Sequence, residues 1–333
     1  MMVTSNFTTI PIIDVAPLLA KCDDPNGTDD KDLLEVVAML DEACRGVGFF
    51  YLKGHGVPDS LVRDVRDSTR SFFRLQDEEK LKIKLTSKSG FRGYQLIKEN
   101  ITKGLPDLHE AIDLYKEIEP GMYGQLGTTL VGSNQWPENP TRMKSVMEKY
   151  VDLLKEVSRK IMRGIALALG GPVDTFEQEQ MAGDQFWVMR LIGYPGSNSN
   201  SKNTDSVGCG AHTDYGLLTL VNQDESSSAL EVKNQNDEWI SAVPIPGTFV
   251  CNIGDMLQVW SNGEYRSTVH RVIVDSPKYR VSVPFFYEPN FDAAVEPLEF
   301  CKSRNGGVAR FEKVVYGEHL VRKVLTNFVS YDF

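Results

Sequence analysis

Apolar positions repeat at helical spacing through much of the first half of this chain. The spacing predicts a helix over residues 32–45 and a second amphipathic helix with Asp59 as its N-cap. The longest helix is predicted from about Thr141 to the Gly170 and Gly171 pair, which ends it. Short apolar runs at residues 10–14 and 49–52 predict strands. We therefore expect an N-terminal helical layer followed by a helix that acts as a spine.

From residue 185 the pattern changes to short apolar runs separated by turn residues. Strands are predicted over residues 186–194, 217–222, 230–232, 248–252, 269–274 and 280–287, and strands at this spacing favour a barrel or a sandwich. The polar residues 197–206 predict a loop, and a last helix is predicted over residues 311–328. The expected regions are an N-terminal region (1–140), the spine helix and connector (141–184), a β-rich core (185–290) and a C-terminal strand and helix that cover the core (291–333).

Composition and charge narrow the class of protein. The 333 residues carry a formal net charge of −10, and an acidic chain is poorly suited to phosphate backbones. No apolar stretch approaches the roughly 20 residues that cross a bilayer, and the N-terminus has no signal-peptide pattern. The five cysteines show no zinc-type spacing and predict reduced thiols. We expect a cytoplasmic monomer, with a nuclear pool left open, that binds a small molecule and neither nucleic acid nor membrane.

The segment 210–216 places an imidazole and a carboxylate two residues apart. In an extended chain, His212 and Asp214 point to the same side and can hold one metal ion. A second imidazole, His270, lies in another strand-like segment. Two histidines and one carboxylate form the ligand set of non-haem Fe(II) sites that keep positions open for substrate and oxygen. The sequence therefore predicts an iron site at these three residues.

Two further strands carry cations on one face. Alternation over residues 280–287 places Arg280 beside Ser282 and Phe286, opposite an apolar face. A buried guanidinium needs an anion, so this pair suits the distal carboxylate of a dicarboxylic cosubstrate. In the run 186–194, Arg190 and Tyr194 share a face. Arg190 is a candidate contact for an acidic substrate group, with a structural ion pair as the equal alternative.

Motifs spread over most of the chain carry a family resemblance. The order His-x-Asp, a distant His and Arg-x-Ser ten residues later is a specific signal, and further matches lie at residues 10–14, 48–50, 55–57, 90–94, 136–137, 252–255 and 261–263. The chain resembles the plant-type 2-oxoglutarate- and Fe(II)-dependent dioxygenases of the isopenicillin N synthase-like superfamily. The resemblance implies a mixed α and β fold with a double-stranded β-helix (jelly-roll) core, an N-terminal helical layer and a C-terminal helix.

The resemblance also implies roles for individual residues. His212, Asp214 and His270 would ligate iron, and Arg280 and Ser282 would bind the 5-carboxylate of 2-oxoglutarate with help from Tyr194. Phe286, Phe91 and Tyr94 are candidate walls of the substrate pocket, alongside Arg190. The implied enzyme oxidises a small organic metabolite, most simply by hydroxylation, with dealkylation or desaturation as variants. It uses O2, with ascorbate as reductant, and releases succinate and CO2.

Several alternatives stay open at this point. An oxidase of the same fold that does not use 2-oxoglutarate, and a non-catalytic small-molecule sensor, are the rival functions. His55, His109 and His319 are interpreted as structural residues, and Cys209 as a small packing residue. Asn252 and Asp255 are interpreted as turn-formers. The acidic residues Asp113, Glu117 and Glu119 are interpreted as a solvated face.

Overall fold

A computed structural model describes residues 6–24, 27–196, 207–225, 228–274 and 276–327 of the chain. Its helices are α1 (Ala16–Lys21), α2 (Lys31–Gly46), α3 (Asp59–Phe73), α4 (Asp77–Lys80), α5 (Gly124–Gly127), α6 (Met143–Ala168), α7 (Asp255–Trp260), α8 (Glu299–Arg304) and α9 (Tyr316–Asn327). The predicted helices at 32–45 and 141–170 are confirmed as α2 and α6. No helix among the described residues is long and apolar enough to cross a membrane.

The strands alternate with these helices in the N-terminal region and then dominate the chain. They are β1 (Ile12–Asp14), β2 (Phe49–Lys53), β3 (Gly93–Gln95), β4 (Ile101–Thr102), β5 (Leu105–Pro106), β6 (Glu110–Tyr115), β7 (Trp187–Tyr194), β8 (Val207–His212), β9 (Leu218–Gln223), β10 (Leu230–Lys233), β11 (Trp239–Ser241), β12 (Phe249–Ile253), β13 (His270–Ile273), β14 (Arg280–Tyr287), β15 (Ala294–Val295) and β16 (Val314–Val315). All six strands predicted after residue 185 are confirmed.

Two sheets form the β core. The larger sheet has the order β1-β2-β12-β9-β14-β7-β6-β3, and the smaller has the order β11-β10-β13-β8. Apolar side chains from both sheets form one hydrophobic cluster, which includes Ile192 and Val250 from the larger sheet and Val232 and Val272 from the smaller. Because the two sheets share this cluster, they pack face to face, as the jelly-roll expectation requires.

The opposite face of the larger sheet is covered by helices. Val281, Val283 and Phe285 of β14 belong to the main hydrophobic core, which also contains the buried stripes of α2, α3 and α6. At 26 residues, α6 is about 39 Å long and spans this layer. The predicted alternation of β14 is therefore confirmed: one face anchors the sheet to the helices, and the other face is left for the site.

Local expectations differ from the structure in several places. Pro58, and not Asp59, is the N-cap of α3, and no side chain caps that helix. The last helix begins at Tyr316 because Val314–Val315 pairs with β15 as strand β16. The pattern missed β8, in which Gly208 and Gly210 interrupt the apolar alternation. The predicted loop 197–206 and the predicted helix end at 328 lie outside the described residues.

Candidate active site

The two histidines predicted as ligands lie directly opposite each other on neighbouring strands. His212 ends β8, His270 begins β13, and the antiparallel register pairs the two residues. Asp214 follows two residues after the end of β8. Its Oδ1 lies 3.6 Å from Nε2 of each imidazole. The candidate ligand atoms of all three residues lie within 4.8 Å of one another.

Backbone carbonyls orient both imidazoles. Nδ1 of His212 lies 2.8 Å from the carbonyl oxygen of Gly210, and Nδ1 of His270 lies 3.2 Å from that of Thr268. A carbonyl oxygen can only accept, so each Nδ1–H donates, and when the ring is neutral its lone pair is on Nε2. Both Nε2 atoms face the Asp214 carboxylate. This arrangement of a backbone acceptor behind each ring is typical of metal-binding histidines.

The second oxygen of Asp214 is held by two donors. Oδ2 accepts hydrogen bonds from Thr219 Oγ1 at 2.6 Å and from Asn252 Nδ2 at 2.7 Å. Burial opposes ionisation, but His270, His212 and these donors lower the pKa of Asp214 below its usual value. The carboxylate is therefore charged and fixed, with Oδ1 left towards the imidazoles. The interpretation of Asn252 as a turn-former is wrong: it lies inside β12 and positions Asp214.

Asp255 has a comparable positioning role. It stands in the first turn of α7 and accepts hydrogen bonds from Ser267 Oγ at 2.6 Å and Thr213 Oγ1 at 3.3 Å. Thr213 lies between two of the predicted ligands, so Asp255 ties the ligand segment to α7. The interpretation of Asp255 as a plain turn-former is therefore also wrong.

The donor set fits an Fe(II) ion. Two imidazole nitrogens and one carboxylate oxygen are the ligands of the facial triad. Metal–ligand bonds of about 2.1 Å put neighbouring ligand atoms roughly 3 Å apart, so the observed spacing of 3.6 Å needs only a small movement. Burial and the neighbouring His212 together lower the pKa of His270 to about 4. His270 is thus neutral at physiological pH, as a ligand must be.

Arg280 is a buried cation without a carboxylate partner in the described residues. The side chain begins β14, is 2% exposed, and donates from Nη2 to Gln223 Oε1 at 3.1 Å. Its Nε and Nη1 have no hydrogen-bond partner in the part of the chain that the structure describes. Its Cζ lies 5.1 Å from the ring centroid of Tyr194, and Ser282 follows on the same face of the strand. Because a buried guanidinium needs an anion, this corner fits a ligand carboxylate.

A cavity of about 400 Å³ opens beside the triad. Its lining includes the predicted residues His212, Asp214, Arg190 and Phe286, together with other polar, charged and apolar side chains: Asn100, Thr102, Lys103, Asp113, Tyr115, Val188, Cys209, Thr213, Tyr215, Val269, Glu288, Leu320, Lys323 and Val324. The last three come from α9, so the C-terminal helix forms part of the wall. The size suits a small organic molecule.

Arg190 and Asp113 form an ion pair on the cavity wall. Arg190 Nε lies 2.7 Å from Asp113 Oδ1, and Nη2 donates to Asn100 Oδ1 at 3.3 Å. Asp113 is 2% exposed and also accepts from Gln95. The prediction that Asp113 belongs to a solvated face is therefore wrong, although Glu117 and Glu119 are exposed. Arg190 therefore makes the structural ion pair, and because it also lines the cavity, its contact with an acidic substrate group stays a prediction.

Phe91 and Tyr94 do not line this cavity. Tyr94 is 1% exposed, packs edge-on against Phe72 and donates to Glu110 Oε2 at 2.6 Å. Phe91 is buried in the main core. Neither predicted pocket wall is in the lining of the cavity. Tyr94 lies in β3, which pairs with β6 at the edge of the larger sheet, and its ring packs against Phe72 of α3. Phe286 does line the cavity.

Glu288 is a cavity residue that the sequence analysis missed. It follows β14, is 3% exposed, and continues the face of Arg280, Ser282 and Phe286 at a spacing of two. Extending that alternation by one step beyond the apolar run would have found it. Burial, with the nearby Tyr316 hydroxyl opposing it and the charge of Asp214 adding to it, gives Glu288 a raised pKa of about 8.

The other histidines are packing residues, as predicted. His55 stacks on Phe249, and His109 places its Nδ1 2.7 Å from the Gly208 carbonyl oxygen. His319 packs edge-on against Tyr215. Cys209 has its Sγ 3.7 Å from His212 Nδ1 and lines the cavity, and all five cysteines are free thiols.

Known proteins are similar to this chain in both sequence and fold. Residues 10–139 match the non-haem dioxygenase N-terminal family, described for morphine synthesis, and residues 184–289 match the 2OG-Fe(II) oxygenase superfamily. A homoarginine-6-hydroxylase of Oryza sativa subsp. japonica is 66% identical over 98% of this chain and 99% of its own length. A homoarginine-6-hydroxylase of Glycine max is 61% identical over 98% of this chain and 99% of its own length.

A solved structure extends the similarity to the fold. A full-length Neurospora crassa protein, solved in complex with alpha-KG and thymine, superimposes with a TM-score of 0.80 and 30% identity, covering 95% of this chain and 96% of that protein. The donor set at the triad, the uncompensated Arg280 and the identity of 61–66% to homoarginine-6-hydroxylases over nearly the whole chain agree with one another. This chain is an enzyme that belongs to the 2-oxoglutarate- and Fe(II)-dependent oxygenase superfamily.

Proposed function

We propose that this enzyme hydroxylates homoarginine at C6. The observation that carries the substrate proposal is the identity of 55–66% to four homoarginine-6-hydroxylases, each matched over nearly its whole length. The cavity supports it, because both signs of charge line a space large enough for an amino acid. Homoarginine carries a carboxylate and an ammonium at one end and a guanidinium at the other.

We assign the metal ligands by their geometry. His212 Nε2, His270 Nε2 and Asp214 Oδ1 would hold Fe(II), while the Gly210 and Thr268 carbonyl groups keep the two rings in place. The bound iron, with 2-oxoglutarate and O2, supplies the oxidising power for C–H hydroxylation and yields succinate and CO2. The protein contributes fixed ligands and a shielded cavity.

We assign the cosubstrate contacts in the same way. Arg280 would bind the 5-carboxylate of 2-oxoglutarate through Nε and Nη1, the two atoms without a protein partner among the described residues. Ser282 would add a hydroxyl donor from the same strand face, and Tyr194 packs against the guanidinium. Such a pair gives a buried charge its counter-ion and fixes the orientation of the cosubstrate.

The remaining cavity residues would position the substrate. Arg190 would contact the α-carboxylate, its partner Asp113 the α-ammonium, and Phe286 the methylene chain. The new hydroxyl group at C6 stands on a carbon that also bears a guanidino nitrogen. Such a hemiaminal collapses: the C6–N bond breaks, the hydroxyl proton passes to the leaving nitrogen, and an aldehyde and guanidine result.

The proposal is tested by product analysis. Purified protein is incubated with Fe(II), 2-oxoglutarate, ascorbate, O2 and homoarginine, and succinate, guanidine and the aldehyde are quantified by mass spectrometry. We expect succinate and guanidine in equal amounts, with arginine and lysine as comparison substrates. An Asp214→Ala variant should form neither product while retaining its fold. If homoarginine does not stimulate succinate formation, the substrate proposal is wrong.

A further inference from the structure

Glu288 is the acidic group of the cavity that has no counter-ion. No Lys, Arg or His side chain of the described residues lies within ion-pair distance of its carboxylate. Its Oε2 is buried and accepts no hydrogen bond of normal geometry from the described part of the chain. The Tyr316 hydroxyl is close enough to lower the pKa of the carboxyl, but it is a neutral group and supplies no counter-ion. A buried carboxylate left in this state is unfavourable when ionised, so it is suited to a cation brought by a ligand.

Asp113, the other buried carboxylate of the cavity outside the predicted triad, differs from Glu288 because it has a counter-ion. Asp113 is as buried as Glu288, but Arg190 neutralises it and Gln95 donates to its second oxygen. Its charge is therefore already compensated inside the protein. Only Glu288 of this pair has its full charge available to a ligand once it is ionised.

Close packing fixes the Glu288 carboxylate beside the ligand segment. A Cβ at Gly216 would lie 1.3 Å from Glu288 Oε2, so the carboxylate occupies the space that any side chain at that position would need. The Glu288 amide also donates to the Phe186 carbonyl oxygen at 3.1 Å. Gly216 is two residues after Asp214, which is at most about 7 Å along an extended chain. A group bound by Glu288 is thus held close to the triad.

We propose that Glu288 binds the guanidinium group of the substrate and makes the enzyme selective for guanidino compounds. This inference rests on the function proposed above. A carboxylate can accept two parallel N–H bonds from a planar guanidinium, which fixes direction as well as position. C6 of homoarginine is bonded to a guanidino nitrogen, so the anchored group keeps C6, and not a more distant methylene, beside the triad.

The sheet register gives the distance to the other end of the substrate. Glu288 lies opposite Phe186, and Arg190 is four residues further along β7, which corresponds to about 13 Å of strand. Extended homoarginine spans roughly 9 Å from its guanidinium carbon to its carboxyl carbon, over seven bonds of standard length. With side chains reaching in from both ends, Glu288 and Arg190 can hold the two charged termini together.

The test compares a guanidino ligand with its neutral ureido analogue. Binding of homoarginine and of homocitrulline is measured by calorimetry on anaerobic enzyme carrying Fe(II) and 2-oxoglutarate, where no turnover takes place. We expect the wild type to bind homoarginine at least 100-fold more tightly than homocitrulline. Glu288→Gln should lower the affinity for homoarginine by roughly 100-fold and change the affinity for homocitrulline little, because only the charge partner of the guanidinium is lost.

Two further variants separate selectivity from folding. Asp113 is the matched carboxylate. Its replacement in Asp113→Asn should lower the affinity for both ligands by the same factor, because Asp113 acts on the amino-acid end that they share. Glu288→Asp keeps the charge on a shorter side chain and should retain part of the preference. Unchanged 2-oxoglutarate binding in each variant shows an intact core.

The outcomes are distinguishable from failure of the proposed function. A Glu288→Gln enzyme that keeps the wild-type preference overturns the inference, as does a wild type that binds both ligands equally or neither. A wild type that binds homoarginine selectively through Glu288 but forms no guanidine supports the inference and refutes only the proposed reaction.

Discussion

Replacing Glu288 by glutamine is expected to stabilise the ligand-free protein, by an amount that grows as the pH rises from about 5 to 8. The native pKa of Glu288 is about 8, against an ordinary value of 4.5. The native state therefore keeps a proton that the unfolded chain releases. Because the folded pKa is raised, the protonated Glu288 contributes its full stability below pH 4.5. Between pH 4.5 and pH 8 the free energy of unfolding falls as the pH rises, because only the unfolded chain releases the proton.

The magnitude follows from the two pKa values. Each unit of difference corresponds to about 1.36 kcal/mol, so glutamine, which does not titrate, should gain about 1 kcal/mol over glutamate at pH 5 and about 4 kcal/mol at pH 8. With an unfolding entropy of about 2.1 cal/mol/K per residue, 4 kcal/mol over this chain corresponds to a Tm increase of roughly 6 °C.

Thermal unfolding of metal-free protein, followed by circular dichroism at pH 5, 6, 7 and 8, measures this difference. Glu312→Gln changes an exposed glutamate on the same background and should leave Tm unchanged throughout. A Glu288→Gln protein whose Tm difference is independent of pH, or which is less stable at pH 8, would refute the reasoning. Either result would mean that the carboxylate is already ionised and compensated in the free protein.

Three other variants test the site. Asn252→Ala removes a 2.7 Å hydrogen bond to the inner oxygen of Asp214, so Fe(II) affinity should fall about 10–100-fold in a metal titration, and an unchanged affinity would count against the positioning role. Arg280→Ala should raise the apparent KM for 2-oxoglutarate by roughly 100-fold, measured by succinate release, since the carboxylate loses its buried cation; a normal KM would place the cosubstrate elsewhere. Gly216→Ala should displace the Glu288 carboxylate and weaken homoarginine binding while 2-oxoglutarate binding stays normal, and equal loss of both would indicate general misfolding.

Patterns that repeat along the chain predicted the architecture well. The apolar spacing located α2, α6 and the strands after residue 185, because burial on one face imposes a period of 3.6 in helices and of 2 in strands. Errors fell where backbone pairing across the fold, and not local pattern, decides the structure. Strand β8 carries two glycines, and a Cβ at Gly208 would lie 2.7 Å from the Tyr194 ring, so the close approach of another strand explains a residue that local propensity disfavours.

The sequence by itself determined the chemistry of the site. His212, Asp214, His270, Arg280 and Ser282 are the residue types that bind iron and a carboxylate, and their order along the chain carries the family resemblance that implied the reaction class. Strand periodicity contributes for β14, because it places Arg280, Ser282 and Phe286 on one face before any tertiary contact is known.

Only the tertiary structure decided which other residues meet at that site. Asp113 and Glu288 look like ordinary acidic residues in the sequence, yet sheet pairing buries both beside the triad, and Arg190 neutralises only one of them. Tyr94, a plausible pocket wall by position, turns into the core to reach Glu110. Burial and counter-ions are set by residues distant in the chain, so the fold alone determines whether a charge is exposed, paired or left to bind a ligand.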